Sequence, residues 1–231
     1  MANLQGTERE QFVRKTFAQI APRYNFMNHL MTGGADILLR RQVVRIANPQ
    51  SQESLLDLGT GTGDLAHEAR RSSPESSIFA GDFSLAMMRA TQDWKNINRS
   101  VSDAMELPFQ AASFDIVISG YLVRNVTNLK KALAEQYRVL KPGGRVVILD
   151  TTRPRPNFFT PFINIYFKIG IPALAGLFNR NPKAYTYLTQ STQNFVSAET
   201  LATAMKECGF EQIKFRIRMF GTMAIHDAIK P

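Results

Sequence analysis

Two kinds of hydrophobic pattern alternate along the chain. Short apolar runs that end in glycine, proline or polar residues are typical of buried strands. Between these runs, apolar residues recur three or four positions apart, as they do in amphipathic helices. This alternation indicates an α/β fold with a mostly parallel sheet, which an antiparallel C-terminal hairpin closes. The predicted strands are Ser54–Leu58, Ser77–Asp82, Arg99–Ser102, Phe114–Gly120, Arg145–Asp150, Glu211–Phe220 and Thr222–Ile229.

Helical patterns precede the sheet and interrupt its second half. Residues 1–47 are predicted to form an N-terminal helical segment. The most apolar stretch, residues 156–178, follows the fifth strand, but Pro161 and Pro172 break it, so a membrane-spanning helix is excluded. Two interpretations of residues 151–196 remain. They form either a helical lid over an apolar substrate or a core helix with a surface for a homodimer.

Length and composition describe a globular protein with one domain. The chain has 231 residues, of which 44% are apolar and 20% charged, and residues 1–231 show no repeat or linker. One cysteine, Cys208, excludes a disulfide within the chain, and three histidines without zinc-type spacing argue against a metal site. The N-terminus lacks the apolar core of a signal peptide. We therefore expect a cytoplasmic protein, either free or peripheral on the inner face of the cell membrane.

The net charge of +9 narrows the range of partners. Such a charge favours an anionic partner, which can be a nucleic acid, a membrane surface or an acidic substrate. No base-methylation motif or RNA-binding module is present, which argues against nucleic acid. Basic residues lie in and around the apolar stretch, as expected of contact with an anionic membrane. They are Arg153, Arg155, Lys168, Arg180 and Lys183.

A glycine turn follows the first strand. Gly59, Gly61 and Gly63 alternate there, and Asp64 opens a helical pattern. A strand, a glycine turn and a helix N-terminus form a ligand site in open α/β sheets. The spacing is not that of a dinucleotide fingerprint, and Asp64 would repel a pyrophosphate. S-adenosylmethionine (SAM) fits better because Asp57, before the turn, can face its ammonium group; the alternative is a glycine turn without a ligand.

Acidic residues end the next two strands. Asp82 ends the second strand, 25 residues after Asp57, and this spacing suits a carboxylate that binds two ribose hydroxyls. Asp103 follows the third strand, where it can accept a hydrogen bond from an adenine amino group, and Ala104 would offer its backbone there. The alternative for Asp103 is a turn or helix cap.

Arg124 and Asn125 follow the most apolar strand of the chain. Ligands of α/β enzymes bind beside the carboxyl ends of central strands, so this pair is the candidate for catalysis. A structural salt bridge is the alternative role for Arg124.

Several motifs together resemble a known family. The order DLGTGTGD, DAMELPF, FDIVIS and RVLKPGG is similar to class I SAM-dependent methyltransferases with a Rossmann-like fold. Two longer stretches, Phe17–Gly34 and Val123–Gly144, resemble the ubiquinone/menaquinone biosynthesis C-methyltransferases. The similarity covers nearly the whole chain. It implies a seven-stranded sheet and methyl transfer from SAM to a ring carbon of a polyprenylated quinol, such as demethylmenaquinol.

The resemblance also implies roles for single residues. Arg124 would stabilise a phenolate and order a water that takes the proton, because an arginine is a poor base. Asn125 would assist it, and the pocket would be completed by Tyr24, Asn28 and His29. The positions implied for SAM are Asp57, Gly59, Thr62, Gly63, Asp82, Asp103, Ala104 and Ser119.

The half of the chain that would bind the acceptor departs from the family pattern. An EFSKP-like stretch is replaced by Asp150–Pro154, and Gln190 stands where the family has an acid. The methyl acceptor is therefore less certain than the donor. Three alternatives stay open: a SAM-dependent methyltransferase for another apolar molecule such as a polyketide or lipid, a nucleic-acid methyltransferase, and a non-catalytic partner in a biosynthetic assembly.

Overall fold

The computed structural model describes residues 6–91, 93–153, 158, 160–178, 191 and 195–231. Seven strands form one sheet: β1 (Ser54–Leu58), β2 (Ser77–Asp82), β3 (Ile97–Val101), β4 (Phe114–Gly120), β5 (Leu140–Thr151), β6 (Glu211–Arg218) and β7 (Met223–Ile229). Their order is β3-β2-β1-β4-β5-β7-β6. β1 to β5 pair in parallel, whereas β7 is antiparallel to both β5 and β6. The predicted fold, a mostly parallel sheet with an antiparallel hairpin, is confirmed.

Several strand boundaries differ from the prediction by one to five residues, and those of β5 and β6 have a clear structural reason. β5 begins at Leu140, before the proline and glycines that were expected to form a separate turn. Leu140 pairs with Phe114 and Arg145 pairs with Ile116, so the intervening residues bulge out of a continuous strand. β6 ends at Arg218 instead of Phe220, because the next two residues adopt left-handed backbone angles that a strand does not accommodate.

Helices surround the sheet and precede it. They are α1 (Gly6–Ile20), α2 (Tyr24–Thr32), α3 (Ala35–Ala47), α4 (Asp64–Ser72), α5 (Leu85–Arg89), α6 (Leu129–Val139), α7 (Thr160–Ile165), α8 (Ile171–Phe178) and α9 (Ala198–Glu207). A π-helical turn, Tyr166–Gly170, joins α7 to α8.

The core lies on both faces of the sheet. On one face, apolar residues of α3 and α4 such as Val43 and Leu65 pack in one cluster with Leu55 of β1. On the other, Leu133 of α6 and Met205 of α9 share a cluster with residues that include Leu56. Burial on both sides explains why β1 reads as a continuous apolar run with a single acid.

A third apolar cluster holds the N-terminal segment against the sheet. Val13 and Phe17 of α1 and Met27 of α2 pack with Met87 of α5. Since α5 directly follows β2, this contact carries α1 and α2 to the carboxyl ends of the strands. These ends border the cavities described below.

The segment after β5 is described only in part. α7, the π-helical turn and α8 are described, whereas Arg155, Arg180, Lys183 and Gln190 lie outside the described residues. Among the helices in the described ranges, none is long and apolar enough to cross a bilayer.

Candidate functional site

The glycine turn after β1 lies at the centre of the sheet. The strand order reverses between β1 and β4, and open α/β sheets place ligand crevices at such a point. The amides of Gly59 and Thr60 donate to the carbonyl of Gly81, at 2.7 and 3.0 Å. Gly59 has a φ of +69°, and a Cβ there would lie 2.8 Å from the side chain of Leu122. Both the backbone angle and the close contact therefore require glycine at this position.

Asp57 is a fully buried carboxylate beneath this turn. Its Oδ2 accepts hydrogen bonds from the Thr60 hydroxyl at 2.6 Å and from the Ala66 amide at 3.0 Å. Its Oδ1 is buried and has no hydrogen-bond partner within the described ranges. Burial raises the pKa of Asp57 to about 7. A ligand with a cationic group at Oδ1 would keep this carboxylate ionised.

Asp82 joins the end of β2 to the glycine turn. Its Oδ2 accepts from the Gly61 amide at 2.8 Å and its Oδ1 from the Ser84 amide at 2.7 Å. Burial raises the pKa of Asp82 to about 6. Each carboxylate oxygen has two lone pairs, so Asp82 can still accept hydrogen bonds from a ligand.

A cavity of about 440 Å³, the strand-end cavity, opens beside Asp82. Asp103 and Ala104, which follow β3, also line it, together with residues of α1. The Oδ1 of Asp103 accepts from the Met105 amide at 2.8 Å, so the alternative turn-capping role is also present. One carboxylate thus shapes the loop while it faces the cavity. The lining residues are Gln11, Val13, Arg14, Leu58, Gly59, Asp82, Phe83, Val101, Ser102, Asp103, Ala104, Met105, Leu122, Asn125, Val126 and Thr127.

A smaller cavity of about 30 Å³, the glycine-turn cavity, continues from Gly59. Thr62 lines it, and its hydroxyl donates to Asn25 Oδ1 at 2.7 Å. Gly63 and Ser119, also predicted for SAM, are not among the residues that line these cavities. The lining residues are Tyr24, Arg40, Asp57, Gly59, Thr60, Gly61, Thr62, Asp64, Leu65, Gly120, Tyr121 and Leu149.

Gly63 and Ser119 have other surroundings. Gly63 is the N-cap of α4 with a φ of +85°, and a Cβ there would lie 2.6 Å from Trp94. Glycine is therefore required at position 63 by the backbone conformation at the start of α4 and by the close packing of Trp94. Ser119 is fully buried in β4, and its Oγ has no partner in the part of the chain that the structure describes.

An ionic network ties the N-terminal segment to the glycine turn. Arg40 of α3 donates to Asp36 at 2.7 Å and pairs with Asp64 at 3.1 Å. Asn25 of α2 donates to the other oxygen of Asp64 at 3.1 Å. α2, α3 and the start of α4 are therefore joined at one edge of the glycine-turn cavity.

The third cavity, the apolar cavity, has a volume of about 500 Å³. Its walls come from α2, the ends of β4 and β5, the segment from α7 to α8, and the turn between β6 and β7. The lining residues are Tyr24, Asn28, Leu30, Met31, Thr32, Gly33, Tyr121, Arg124, Thr151, Phe162, Ile163, Tyr166, Phe167, Ile171, Met219, Phe220, Thr222 and Met223. Most of these side chains are apolar, so this cavity suits a hydrophobic ligand.

Arg124 brings a positive charge to the apolar cavity. Its Nη1 donates to Asp150 Oδ1 at 2.8 Å, and its amide donates to Asp150 Oδ2 at 3.2 Å. Burial disfavours the charge of Arg124, but Asp150, Tyr24 and Tyr121 together outweigh it, so the pKa of Arg124 lies above its usual value. The predicted salt bridge is thus present, and its arginine lines a ligand-sized cavity whereas Asp150 is buried behind it.

Asn125 faces a different cavity from its neighbour. It lines the strand-end cavity, whereas Arg124 lines the apolar cavity. Its Nδ2 donates to the carbonyl of Tyr121 at 2.8 Å. The structure therefore does not bring the two predicted catalytic side chains into one compartment.

Two of the three residues predicted to complete the substrate pocket line the apolar cavity. They are Tyr24 and Asn28, and the Nδ2 of Asn28 is buried without a partner among the described residues. Burial raises the pKa of Tyr24, so its phenol stays protonated near neutral pH. His29 is not among the lining residues; its Nδ1 lies 2.6 Å from Asp36 Oδ2.

Tyr121 and Asp150 are site residues that the sequence analysis did not assign. Tyr121 lines two cavities, and the guanidinium carbon of Arg124 lies 5.1 Å from its ring centroid. Asp150 is 1% exposed and holds Arg124. The available signal was position, since both residues stand at or just beyond the carboxyl ends of β4 and β5.

Comparison with known proteins finds one methyltransferase family and its members over nearly the whole length of the chain. The model of the ubiE/COQ5 methyltransferase family matches residues 5–230. The ubiquinone/menaquinone biosynthesis C-methyltransferase UbiE of Desulfotalea psychrophila is 44% identical over 94% of this chain and 90% of the relative. The demethylmenaquinone methyltransferase of Thermus thermophilus is 36% identical over 93% of this chain and 100% of its own.

A solved structure with low sequence identity has the same fold. It is a SAM-dependent methyltransferase from Thermotoga maritima, described as a possible histamine N-methyltransferase. The two share 19% identity with a TM-score of 0.69, and the match covers 95% of this chain and 100% of that one. This similarity supports the class I methyltransferase fold and carries no information about the acceptor.

Proposed function

The chain belongs to the ubiE/COQ5 methyltransferase family, and from this premise we propose that it methylates a ring carbon of a prenylated quinol in quinone biosynthesis. Relatives at 36–44% identity carry names that describe this chemistry. Demethylmenaquinol is the acceptor we favour. The observation that carries the proposal is an apolar cavity that shares Tyr24 and Tyr121 with the glycine-turn cavity.

SAM is the methyl donor, and the chain's own residues suit it. When bound, SAM supplies a methyl group on a sulfonium to a carbon nucleophile. The unpartnered Oδ1 of Asp57 suits the ammonium group, and Asp82 suits the ribose hydroxyls. We assign Asp103 and Ala104 of the strand-end cavity to the adenine, and Thr62 to the amino-acid end. Gly59 lines both cavities, so one extended ligand can occupy them together.

The apolar cavity suits an aromatic ring with a hydrophobic tail. It is lined mainly by apolar side chains, and Arg124, its charged lining residue among those the structure describes, pairs with the buried Asp150 behind the lining. The buried Nδ2 of Asn28 can donate a hydrogen bond to a ring oxygen. The cavity therefore combines hydrophobic enclosure with a few polar groups that orient the ring.

The reaction requires the ring to lose a hydroxyl proton. A phenol with a pKa of about 10 is mostly neutral at pH 7, so the enzyme must stabilise the phenolate. We assign this role to Arg124, whose charge lies in a low-dielectric cavity where it acts strongly. Arg124 stays protonated, so a water is the proton acceptor in this scheme. The cavity would hold the ring carbon in line with the methyl group. The sulfur–methyl bond would break as the new carbon–carbon bond forms, with S-adenosylhomocysteine as the leaving group, and the ring carbon would then release its proton to restore aromaticity.

We further propose that the segment from α7 to α8 contacts the membrane surface. Phe162, Ile165 and Ile169 are 63%, 58% and 65% exposed, and Lys168 is exposed among them. Phe162 also lines the apolar cavity. A polyprenyl tail can therefore pass from the lipid to the cavity along this segment, and the basic residue suits an anionic lipid.

A product assay tests the function. The protein is incubated with labelled SAM and a membrane quinone extract, either reduced or oxidised, and the product is identified by mass spectrometry. We expect label on a ring carbon of a prenylated quinone from the reduced extract only. Label on another lipid would instead support a methyltransferase for a different apolar molecule, and absence of transfer would contradict the proposal.

The role of Arg124 is tested by Arg124→Ala in the same assay. Loss of a donor that stabilises an oxyanion lowers turnover by about 100-fold or more, so we expect a loss of this size with SAM affinity unchanged. Arg124→Ala leaves Asp150 unpaired and can therefore misfold. Arg124→Lys is the second variant, because it keeps a positive charge beside Asp150 without the planar guanidinium.

Arg145→Ala is the matched control. Arg145 forms a comparable ion pair with Glu53 away from the three cavities, so its removal should affect stability without lowering turnover. If Arg124→Ala lowers the melting temperature but leaves turnover near the wild-type value, Arg124 has only a structural role.

A further inference from the structure

Tyr121 lies where the glycine-turn cavity and the apolar cavity meet. Among the residues that the structure describes, only Tyr24 and Tyr121 are common to the linings of these two cavities. Tyr24 belongs to the N-terminal segment, whereas Tyr121 directly follows the central strand β4. In the proposed function, the methyl group must therefore pass beside Tyr121.

The backbone of Tyr121 adopts a conformation that a bulky residue rarely takes. Its φ is +60°, in the left-handed region that favours glycine. Its amide is held by a 2.7 Å hydrogen bond to the carbonyl of Leu149 in β5. In the described part of the chain, most residues other than glycine that have a positive φ lie at exposed positions. Three of them line the apolar cavity: Tyr121, Met219 and Phe220.

This unfavourable backbone angle suggests that the side chain has a function. Glycine would adopt the same angle without strain, yet the position carries a tyrosine. Strained residues cluster at functional sites because the surrounding structure holds them in place. At Tyr121, the neighbouring strand supplies that constraint.

The contacts of Tyr121 point to the function. Its ring centroid lies 5.1 Å from the guanidinium carbon of Arg124, within the range of a cation–π interaction. Its carbonyl accepts from Asn125 Nδ2 at 2.8 Å. Its hydroxyl donates to a weak acceptor, the Sδ of Met223, at 3.6 Å. The ring and the backbone, more than the hydroxyl, thus make the contacts to the residues proposed for catalysis.

We propose that Tyr121 is a positioning residue whose ring orients Arg124 in the apolar cavity, at the boundary with the glycine-turn cavity. Asp150 accepts one hydrogen bond from the guanidinium, from Nη1, and the aromatic face of Tyr121 limits the orientation that this single bond leaves open. This inference rests on the proposed function, because it assigns a task within that reaction.

Three substitutions test the proposal with the full-length protein. Tyr121→Phe keeps the ring, whereas Tyr121→Leu and Tyr121→Met remove the aromatic face and keep an apolar side chain. We measure kcat and KM with SAM and reduced demethylmenaquinone carrying a short prenyl tail. Calorimetry gives the affinity for S-adenosylhomocysteine, and the melting temperature reports folding.

The leucine and methionine variants should lose about tenfold or more in kcat, with KM for SAM and affinity for S-adenosylhomocysteine within about twofold of wild type. The phenylalanine variant should keep more than about half of wild-type kcat. If the leucine variant does not fold, the methionine variant decides. The proposal is overturned if both aliphatic variants retain kcat, if all three variants lose it equally, or if the loss follows donor affinity or folding.

Failure of this inference can be distinguished from failure of the function. If the wild-type protein transfers no methyl group to the reduced quinone, the proposed function is wrong and the role of Tyr121 fails with it. If the wild-type protein is active and the aliphatic variants are equally active, only the positioning role is wrong.

Discussion

At the scale of single residues, Asp57 illustrates how burial prepares a carboxylate for a cationic ligand. Burial raises its pKa to about 7, which lies far above the usual value for aspartate. The folded protein therefore binds this proton more tightly than the unfolded chain does. The free energy of unfolding contributed by Asp57 falls as pH rises from about 4 towards 7, because the charge then becomes buried.

Substitution of Asp57 by Asn should stabilise the protein and weaken its binding of SAM. Asn keeps the acceptor for Thr60 and Ala66 and removes the buried charge. We expect a higher melting temperature than wild type at pH 8 in the absence of SAM, and at least about tenfold weaker SAM binding. For the wild-type protein, SAM affinity should weaken as pH falls from 8 to 5, because Asp57 and Asp82 take up protons.

Calorimetry from pH 5 to 8 measures both effects. The pH dependence should be smaller for Asp57→Asn than for wild type, since position 57 then no longer takes up a proton. Equal pH dependence in the two proteins would show that Asp57 does not face the ammonium group.

Residue types and local spacing predicted much of the candidate site, but not the partners of each residue. Arg124 was recognised because it follows a central strand. Its partner, Asp150, is 26 residues away in sequence and becomes its neighbour only when β4 and β5 pair. Likewise, adjacent positions do not show that Arg124 and Asn125 line different cavities.

At the scale of elements, the apolar cavity is formed between α2 and the segment from α7 to α8. The hydroxyl of Tyr166, in the π-helical turn, donates to the carbonyl of Met31 near the end of α2 at 2.8 Å. π-helical turns are often found at functional sites. This contact brings together the two walls through which a long hydrophobic tail would pass.

Acidic substitutions in this segment test its contact with lipid. Ile165→Glu combined with Ile169→Glu places charges on an exposed apolar surface, which should lower binding to vesicles of phosphatidylglycerol and phosphatidylcholine by about tenfold or more. S-adenosylhomocysteine affinity should not change. Co-sedimentation with vesicles measures the effect.

Ile217→Glu is the control, because Ile217 is 43% exposed on the edge strand β6. It should leave vesicle binding unchanged. If the double substitution abolishes self-association on gel filtration and does not affect vesicle binding, the exposed apolar residues contact a second copy of the chain instead of lipid.

At the scale of the whole molecule, the net charge of +9 adds a long-range attraction to anionic membranes. Salt screens this attraction, since the Debye length falls from about 10 Å at 0.1 M to about 3 Å at 1 M. Binding to anionic vesicles should therefore weaken by about tenfold or more over this range. Binding to purely zwitterionic vesicles should be weaker and nearly independent of salt; an equal response in both would argue against a contribution from charge.

The amino-acid sequence by itself determined the succession of strands and helices along the chain, the glycine turn, and the acids at the ends of β1 and β2. These features depend on short-range patterns: runs of apolar residues, glycines at left-handed positions, and residues at strand ends. They were sufficient to predict the fold class and SAM as the donor.

Only the tertiary structure decided how the site is divided. The three cavities are enclosed by elements far apart in sequence, and Tyr121, which follows the central strand β4, lines two of them. The structure also placed Gly63 in helix packing and paired His29 with Asp36. Such pairings depend on the relative positions of whole elements, which are fixed by packing across the sheet and not by local sequence.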